Sequence, residues 1–233
     1  MKIRFSLIGP LLLGLILISC GELSERERAI QAIDLDVSVE RFDRVFAQAS
    51  PDDLDSIKRA YPLFFPTQYP DSVWIAKMND TLQHAIEEAV LIVFSDDELI
   101  AEQCRDLLRH IKYDFPDFVP PNVVTTTSDV DYKTRVIANQ GWLILMLDNY
   151  LGTEHRFYSG LPRYVAKNLR LQMLFSDVAT AFGRKFVPPP SERSFFGSND
   201  LLRKALIPKR FMATQCFGCG QNRIYWRGTR LGF

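Results

Sequence analysis

The first twenty residues decide which part of this chain is left to fold. Lys2 and Arg4 make a short positive head, and an apolar run follows from Leu7 to Ile18, broken only by Gly9, Pro10 and Gly14. A charged tip, an apolar run of this length and a small residue before a cut form the pattern of a secretory signal. The run is too short to cross a bilayer as a helix, which takes about 20 apolar residues. Residues 1–19 are therefore expected to act as a removable signal, and the fold is expected to begin after them.

The run closes on Leu17-Ile18-Ser19-Cys20. Leu-x-Ser-Cys resembles the bacterial lipobox, in which the cysteine thiol is diacylated and the peptide is cut just before it. An ordinary signal peptide with an incidental cysteine is the competing reading. Cys20 is thus the candidate lipidation site, carrying palmitate-like chains. One acyl chain binds a membrane only marginally, and each buried methylene adds roughly 0.8 kcal/mol, so two or three chains would hold the protein almost irreversibly. The sequence Gly21 to Arg28, GELSERER, is small, polar and charged. Residues 20–32 read as a lipidated tether, with a frayed helix start as the alternative. The expected place is the cell envelope, anchored to a membrane and facing the periplasm or the cell exterior.

What remains after Cys20 is enough for one domain of ordinary size. Apolar residues make up 47% and charged residues 24%, as in a globular protein. Lys and Arg total 28 against 28 Asp and Glu, and this balance argues against nucleic acid as a partner. Of the four cysteines, Cys20 is claimed by lipid, and the odd remainder of Cys104, Cys216 and Cys219 implies no complete disulfide framework.

Ile33, Leu35, Val37 and Val39 alternate with Asp34, Asp36 and Ser38, which predicts a strand with one buried face. Glu40 to Ala49 reads as helix, with Phe42, Val45 and Phe46 on one side. Ser50-Pro51-Asp52-Asp53 reads as a helix start, and that helix should stop near Tyr61 because Pro62 follows. Asp71 to Phe94 reads as helix with a break near Asn79. Ser95-Asp96-Asp97-Glu98 fits a capping box ahead of the stripe Leu99, Ile100, Cys104, Leu107, Leu108 and Ile111. Pro116 to Pro121 is a connector. Val123–Thr127, Thr134–Ala138 and Trp142–Leu147 read as strands, the last two joined as a hairpin at Gln140-Gly141. Leu161 to Phe186 returns to helix. The expected class is α+β: a mostly helical single domain with a small antiparallel sheet.

Several stretches carry a resemblance: IDLDVSVERFD from Ile33, YPLFFP from Tyr61, DSVWIAKMNDTLQ from Asp71 and HIKYDFP from His110. The most specific are TSDVDYKTRVI from Thr127, LDNYLG from Leu147, HRFYSGLPRY from His155 and SDVATAF from Ser176. In this order they resemble the gliding-motility lipoprotein GldB family of Bacteroidetes, over roughly residues 33–195. The resemblance implies a cell-envelope lipoprotein needed for the gliding machinery. Its partners would be the membrane, through the anchor, and other envelope or gliding-machinery proteins. It implies no established catalytic activity and no cofactor.

Residues 196–233 depart from that family. No acidic residue follows Asp200, while Arg203, Lys204, Lys209, Arg210, Arg223, Arg227 and Arg230 accumulate. This tail reads as translated out of frame after about Phe195, which would leave the family domain truncated and the tail disordered. Dropping one base near Phe196 permits a string like LDQMIYYGKxLYLKDLW, which resembles the family's own continuation. A genuine basic tail is the alternative, since C-terminal tails vary freely.

Candidate chemistry is sparse. Cys216-Phe217-Gly218-Cys219 has CxxC spacing but no second ligand pair nearby. A hairpin followed by an apolar helix is where zincin-like peptidases carry HExxH, and a degenerate or divergent zincin-like metallohydrolase is the alternative function. The corresponding residues, Ser176 to Thr180, hold no histidine, and Asp177 reads as a solvated or structural carboxylate. Asp129 and Asp131 could face a cation, but Asp in a turn more often bonds local backbone. His84, His110 and His155 are isolated in sequence, and Cys104 sits on an apolar stripe as a small hydrophobe. No catalytic residue and no metal ligand is assigned.

Overall fold

A computed structural model describes residues 23–139, 141–186, 213–214 and 225–226. The chain separates between Asp34 and Leu35 into two compact units. In the first, Ser24 accepts a hydrogen bond from the Glu27 amide at 3.1 Å and starts α1 (Glu25–Gln31), with Glu25 and Glu27 at the positive end of its dipole. This helix lies inside the span read as a tether. The assignment of Cys20 falls outside the described residues. So do those of the signal segment and of the tail, apart from the two-residue strands β5 (Ala213–Thr214) and β6 (Tyr225–Trp226), which pair antiparallel.

The second unit is built on a four-stranded sheet of β1 (Val39–Arg41), β2 (Asn122–Thr126), β3 (Val136–Asn139) and β4 (Trp142–Met146). The strands lie in the order β1-β2-β4-β3. β1, β2 and β4 run parallel, with Val39 opposite Val123 and Val123 opposite Leu143. Only β3 runs the other way, pairing with β4, and Gly141 ahead of β4 stands at a φ of 84° that suits glycine. The α+β expectation holds. The sheet is mixed, and its antiparallel pairing is confined to that hairpin.

Between β1 and β2 lie α2 (Phe42–Ala47), α3 (Leu54–Ala60), α4 (Asp71–Met78), α5 (Thr81–Val93) and α6 (Asp97–Asp114). After the sheet come α7 (Arg163–Ala166) and α8 (Leu171–Phe186). Side chains alternate across a sheet. Val124, Ile144 and Met146 face one side, where they pack with Phe42, Phe46, Leu54, Ile57, Phe65 and Met78. Phe42 stacks on Phe64 at 4.1 Å, and Phe65 meets Trp74 edge-on at 4.9 Å. By the same alternation Val123, Leu143 and Leu145 face the other side, where α6 packs against β1 and α8, and α8 packs against β3. These three side chains are essentially removed from water. Each such burial contributes about 1.5–3 kcal/mol.

Several boundaries move. The alternation from Ile33 buries Leu35 and Val37, yet the ladder begins only at Val39, and Arg41 closes a strand where helix was expected. The cap of α6 is Asp96, whose carboxylate accepts from the Leu99 amide at 3.2 Å, one residue after the expected Ser95. Ser50 donates its amide and hydroxyl to Asp53 at 2.9 and 2.7 Å, starting a tight turn over Pro51–Asp53 before α3. The break near Asn79 falls where expected, and Asp80 caps α5 through the Leu82 amide at 2.8 Å. The expected helix 161–186 splits at 167–170, because Arg170 bridges to Leu151 and the Leu169 carbonyl accepts from the Gly152 amide at 3.0 Å.

Candidate functional site

The carboxyl ends of the parallel strands gather the buried charges. At the end of β1, Arg41 donates from Nε and Nη2, one edge of its guanidinium, to the two oxygens of Asp43, at 2.9 and 2.7 Å. It also donates to the Phe94 carbonyl at 2.8 Å and to Asp97. Arg44 reaches the other oxygen of Asp97 at 2.7 Å. From β2, the Thr125 hydroxyl donates to Asp43. Burial alone would lower the Arg41 pKa, but Asp43 and Asp97 outweigh it and hold the group above its usual value. This is a neutral, fully bonded cluster that locks α2 and the start of α6 to β1 and β2.

At the end of β4 the charge is met differently. Asp148 is fully buried and accepts from the Ser128 amide at 3.0 Å, the Val130 amide at 2.6 Å and the Ser128 hydroxyl at 3.2 Å. Asp129 and Val130 both stand in the left-handed region, at φ 55° and 61°. Tyr158 donates to the Asp148 carbonyl at 2.7 Å and accepts from the Leu151 amide at 2.9 Å. Burial pushes the Asp148 carboxyl above the ordinary carboxylate range, against the pull of its hydrogen bonds. Asn149 donates to the Ser128 hydroxyl at 2.9 Å. On α5, Gln83 donates to Glu87 at 2.5 Å and to the Thr127 hydroxyl at 3.1 Å, and burial raises the Glu87 pKa too.

The residues singled out in the sequence fall into ordinary structural roles. Asp177 on α8 accepts from Tyr150 at 2.8 Å and pairs with Arg135 at 3.1 Å, tying α8 to the residue before β3. Burial raises its pKa and Arg135 lowers it. Asp131 accepts from the Lys133 amide at 3.1 Å, the local turn bond expected of it, and Asp129 pairs with Lys77 at 2.8 Å. The Thr180 hydroxyl donates to the Ser176 carbonyl at 2.8 Å. His110 is buried on α6, with Nδ1 2.9 Å from the Asp106 carbonyl. Nδ1 of His155 accepts from the Phe157 amide at 3.4 Å, and burial followed by Arg156 lowers its pKa. His84 is exposed, 3.6 Å from Glu87. Cys104 is fully buried and its thiol is pushed up to about 12 by burial, the behaviour of a core hydrophobe. Cys216 and Cys219 lie outside the described residues. Among the described residues no group of three or more His, Cys, Asp or Glu is placed to hold a metal ion.

Sequence reasoning passed over Arg41, Asp43, Asp148 and Asn149. Their signal was a charge lodged inside an apolar run: Arg41 and Asp43 flank Phe42, and Asp148-Asn149 sit between Leu147 and Tyr150. Such a residue is either a misplaced loop or a buried, paired charge.

An accessible feature among the described residues lies at the opposite end of the sheet. A groove of about 260 Å³ opens beside the β3–β4 hairpin, lined by Phe118, Val119, Ala138, Trp142 and Phe182, with Asp117 at its rim. Lys112 donates to the carbonyls of Pro116 and Phe118, at 2.6 and 2.8 Å, and so fixes the connector that forms one wall. Phe182 of α8 meets Phe118 edge-on at 5.6 Å and closes the floor. Val119 is 79% exposed. An apolar slot with one carboxylate at its lip has the shape and polarity that suit an apolar side chain.

No helix among the described residues is long and apolar enough to cross a membrane. No curated protein and no solved structure matches this chain. One family does, described as gliding motility protein GldB, over residues 24–198. That span covers α1, the whole sheet and every helix through α8, and the chain belongs to the GldB gliding-motility family.

Proposed function

We propose that the mature protein is tethered to an envelope membrane through lipid on Cys20 and serves the gliding machinery by docking to other envelope proteins. The family match carries this reading. Two features support it. The segment ahead of the match ends in Leu-x-Ser-Cys after an apolar run. The folded part spends its buried charges on internal bonds while presenting an apolar groove on its surface.

The test has two arms. Radiolabelled palmitate should enter the protein, and Cys20→Ala should abolish labelling and release the chain from membranes. A Cys20→Ala variant that sediments with membranes as before overturns the anchor. Mild cross-linking in intact envelopes should join the wild-type protein to other gliding-machinery proteins, and repeated recovery of the protein alone overturns the docking role.

A further inference from the structure

The edge of the sheet beside the groove is unfinished. β3 is the last strand, and among the described residues none lies on its far side. Which of its backbone groups are used follows from the ladder. Val136 faces Leu145, Ile137 faces Ile144 and Ala138 faces Leu143. Just before the strand, the Met146 amide donates to the Arg135 carbonyl at 3.0 Å, so Arg135 and Met146 form a hydrogen-bonded pair. Bonded and non-bonded pairs alternate in an antiparallel ladder. Ile137 and Asn139 therefore spend their backbone groups on β4, and Val136 and Ala138 aim theirs outward. No partner for those two amides and two carbonyls occurs among the described residues. Both residues are half-buried, so the edge reaches the surface.

We infer that this edge takes up an extended segment of a partner protein as a fifth strand, running antiparallel to β3 and setting one large apolar side chain into the adjoining groove. The inference rests on the docking role proposed above and specifies its surface. Three observations select this occupant. A row of N–H and C=O groups at strand spacing is satisfied by another strand's backbone. A residue placed opposite Ala138 projects to the same face as Ala138, which is the side lined by Phe118 and Phe182. The groove, at about 260 Å³, is roomy for a phenylalanine, since a cavity of about 150 Å³ takes benzene.

Given that direction, charge sets the order of the end residues. Asp117 is exposed on the groove's lining, in the connector that reaches the hairpin where the Asn122 amide donates to the Gly141 carbonyl, and Lys133 is exposed ahead of β3. Neither side chain has an ion-pair partner among the described residues; Asp131 takes only the Lys133 amide. An antiparallel segment begins at the Asp117 end and finishes at the Lys133 end. The fitting sequence therefore starts with a basic residue, carries a large apolar residue next, alternates, and finishes with an acidic residue.

The test uses the full chain, lipidated and held in detergent micelles. The probe is a synthetic peptide that begins with lysine, ends with glutamate and alternates threonine with phenylalanine and valine between them. It should slow hydrogen exchange at the Val136 and Ala138 amides by about tenfold or more. Methylating the peptide amides that face the edge should weaken binding about tenfold for each bond lost, while methylating the intervening amides should not. Exchanging the terminal lysine and glutamate should also weaken it. Ala138→Pro removes an outward amide and should keep the fold but lose the peptide, whereas Ile137→Pro cuts the ladder to β4 and should destabilise the protein.

Three results with the peptide overturn the inference, and so does one with the cross-link. One is binding without protection at Val136 and Ala138. Another is binding indifferent to which amides are methylated. The third is protection of both amides before peptide is added, which would mean that another segment or a second copy already holds the edge. An envelope cross-link that survives in Ala138→Pro removes the edge assignment and leaves the docking role standing. A chain that takes the peptide but cross-links to nothing removes the docking role alone.

Discussion

The carboxyl ends of β1 and β4 are parallel strand termini in one sheet, and each has a buried aspartate two residues beyond it, yet they solve the same problem in opposite ways. Asp43 is met by one edge of a guanidinium through two bonds, and the pair is further bonded by Thr125 and Asp97. Asp148 is met only by neutral donors, two amides and a hydroxyl, on a turn bent into the left-handed region. A buried charge with a counter-charge is costly to break. A buried carboxylate without one is costly to keep ionised. The first end is therefore a fixed joint, and the second should respond to pH.

The sharpest break in that comparison is Asp43→Ala. It leaves the Arg41 guanidinium buried with Asp97 as its only counter-charge, and should cost about 3–5 kcal/mol in denaturant unfolding. The paired variant Arg41→Met with Asp43→Leu should recover much of that loss, because no charge is then stranded. A single-variant loss under about 1 kcal/mol would show that water reaches the pair.

Asp148→Ala should come next, at about 2–3 kcal/mol, because it leaves the Ser128 and Val130 amides without their acceptor. Asp148→Asn separates charge from hydrogen bonding. In the unfolded chain this carboxyl ionises near its usual value of about 4, while in the fold burial holds the proton on to higher pH. Between those values the folded state binds more protons than the unfolded one. This group's contribution is thus fully present below the unfolded value and is lost as pH rises through the folded one. Glu87 and Asp177 are raised for the same first reason and add in the same direction. Asp148→Asn should flatten the fall of stability with rising pH by at most about 1.4 kcal/mol per pH unit, read as midpoints against pH. An unchanged slope would place the titration elsewhere.

The same contrast explains what could be read in advance. Helices whose apolar residues recur in phase, such as α6 with Cys104, Leu107, Leu108 and Ile111, declare themselves locally, and so does the β3–β4 hairpin with Gly141 before its second strand. The pairing of Val39 with Val123 does not, because nothing in either short strand encodes a partner eighty-odd residues away. Alternation from Ile33 reports which side chains are buried, but burial alone does not make a ladder, which forms only from Val39. The continuous apolar phase through Leu169 concealed the break before α8, since that leucine is buried whether or not the backbone around it is helical. The polar joints were the least legible. Asp148 has no nearby basic residue to betray it, and its partners are backbone amides twenty and eighteen residues upstream.

The smallest effect tests whether the Asp148 end holds strain as well as charge. Val130 is β-branched and sits at φ 61°, where a side chain of that shape crowds its own backbone by about 1–2 kcal/mol. Its amide gives Asp148 its shortest bond, at 2.6 Å, so the turn is held in place by the carboxylate it bonds. Asparagine tolerates this conformation and keeps the amide. Val130→Asn should therefore raise stability by about 0.5–1 kcal/mol in denaturant unfolding, with the bond to Asp148 intact. In an Asp148→Ala background the turn is free to relax, and the same substitution should gain nothing. Equal gains in both backgrounds would mean that the carboxylate does not impose the turn. A loss in the wild-type background would mean that the partly buried valine packs more strongly than its backbone is strained.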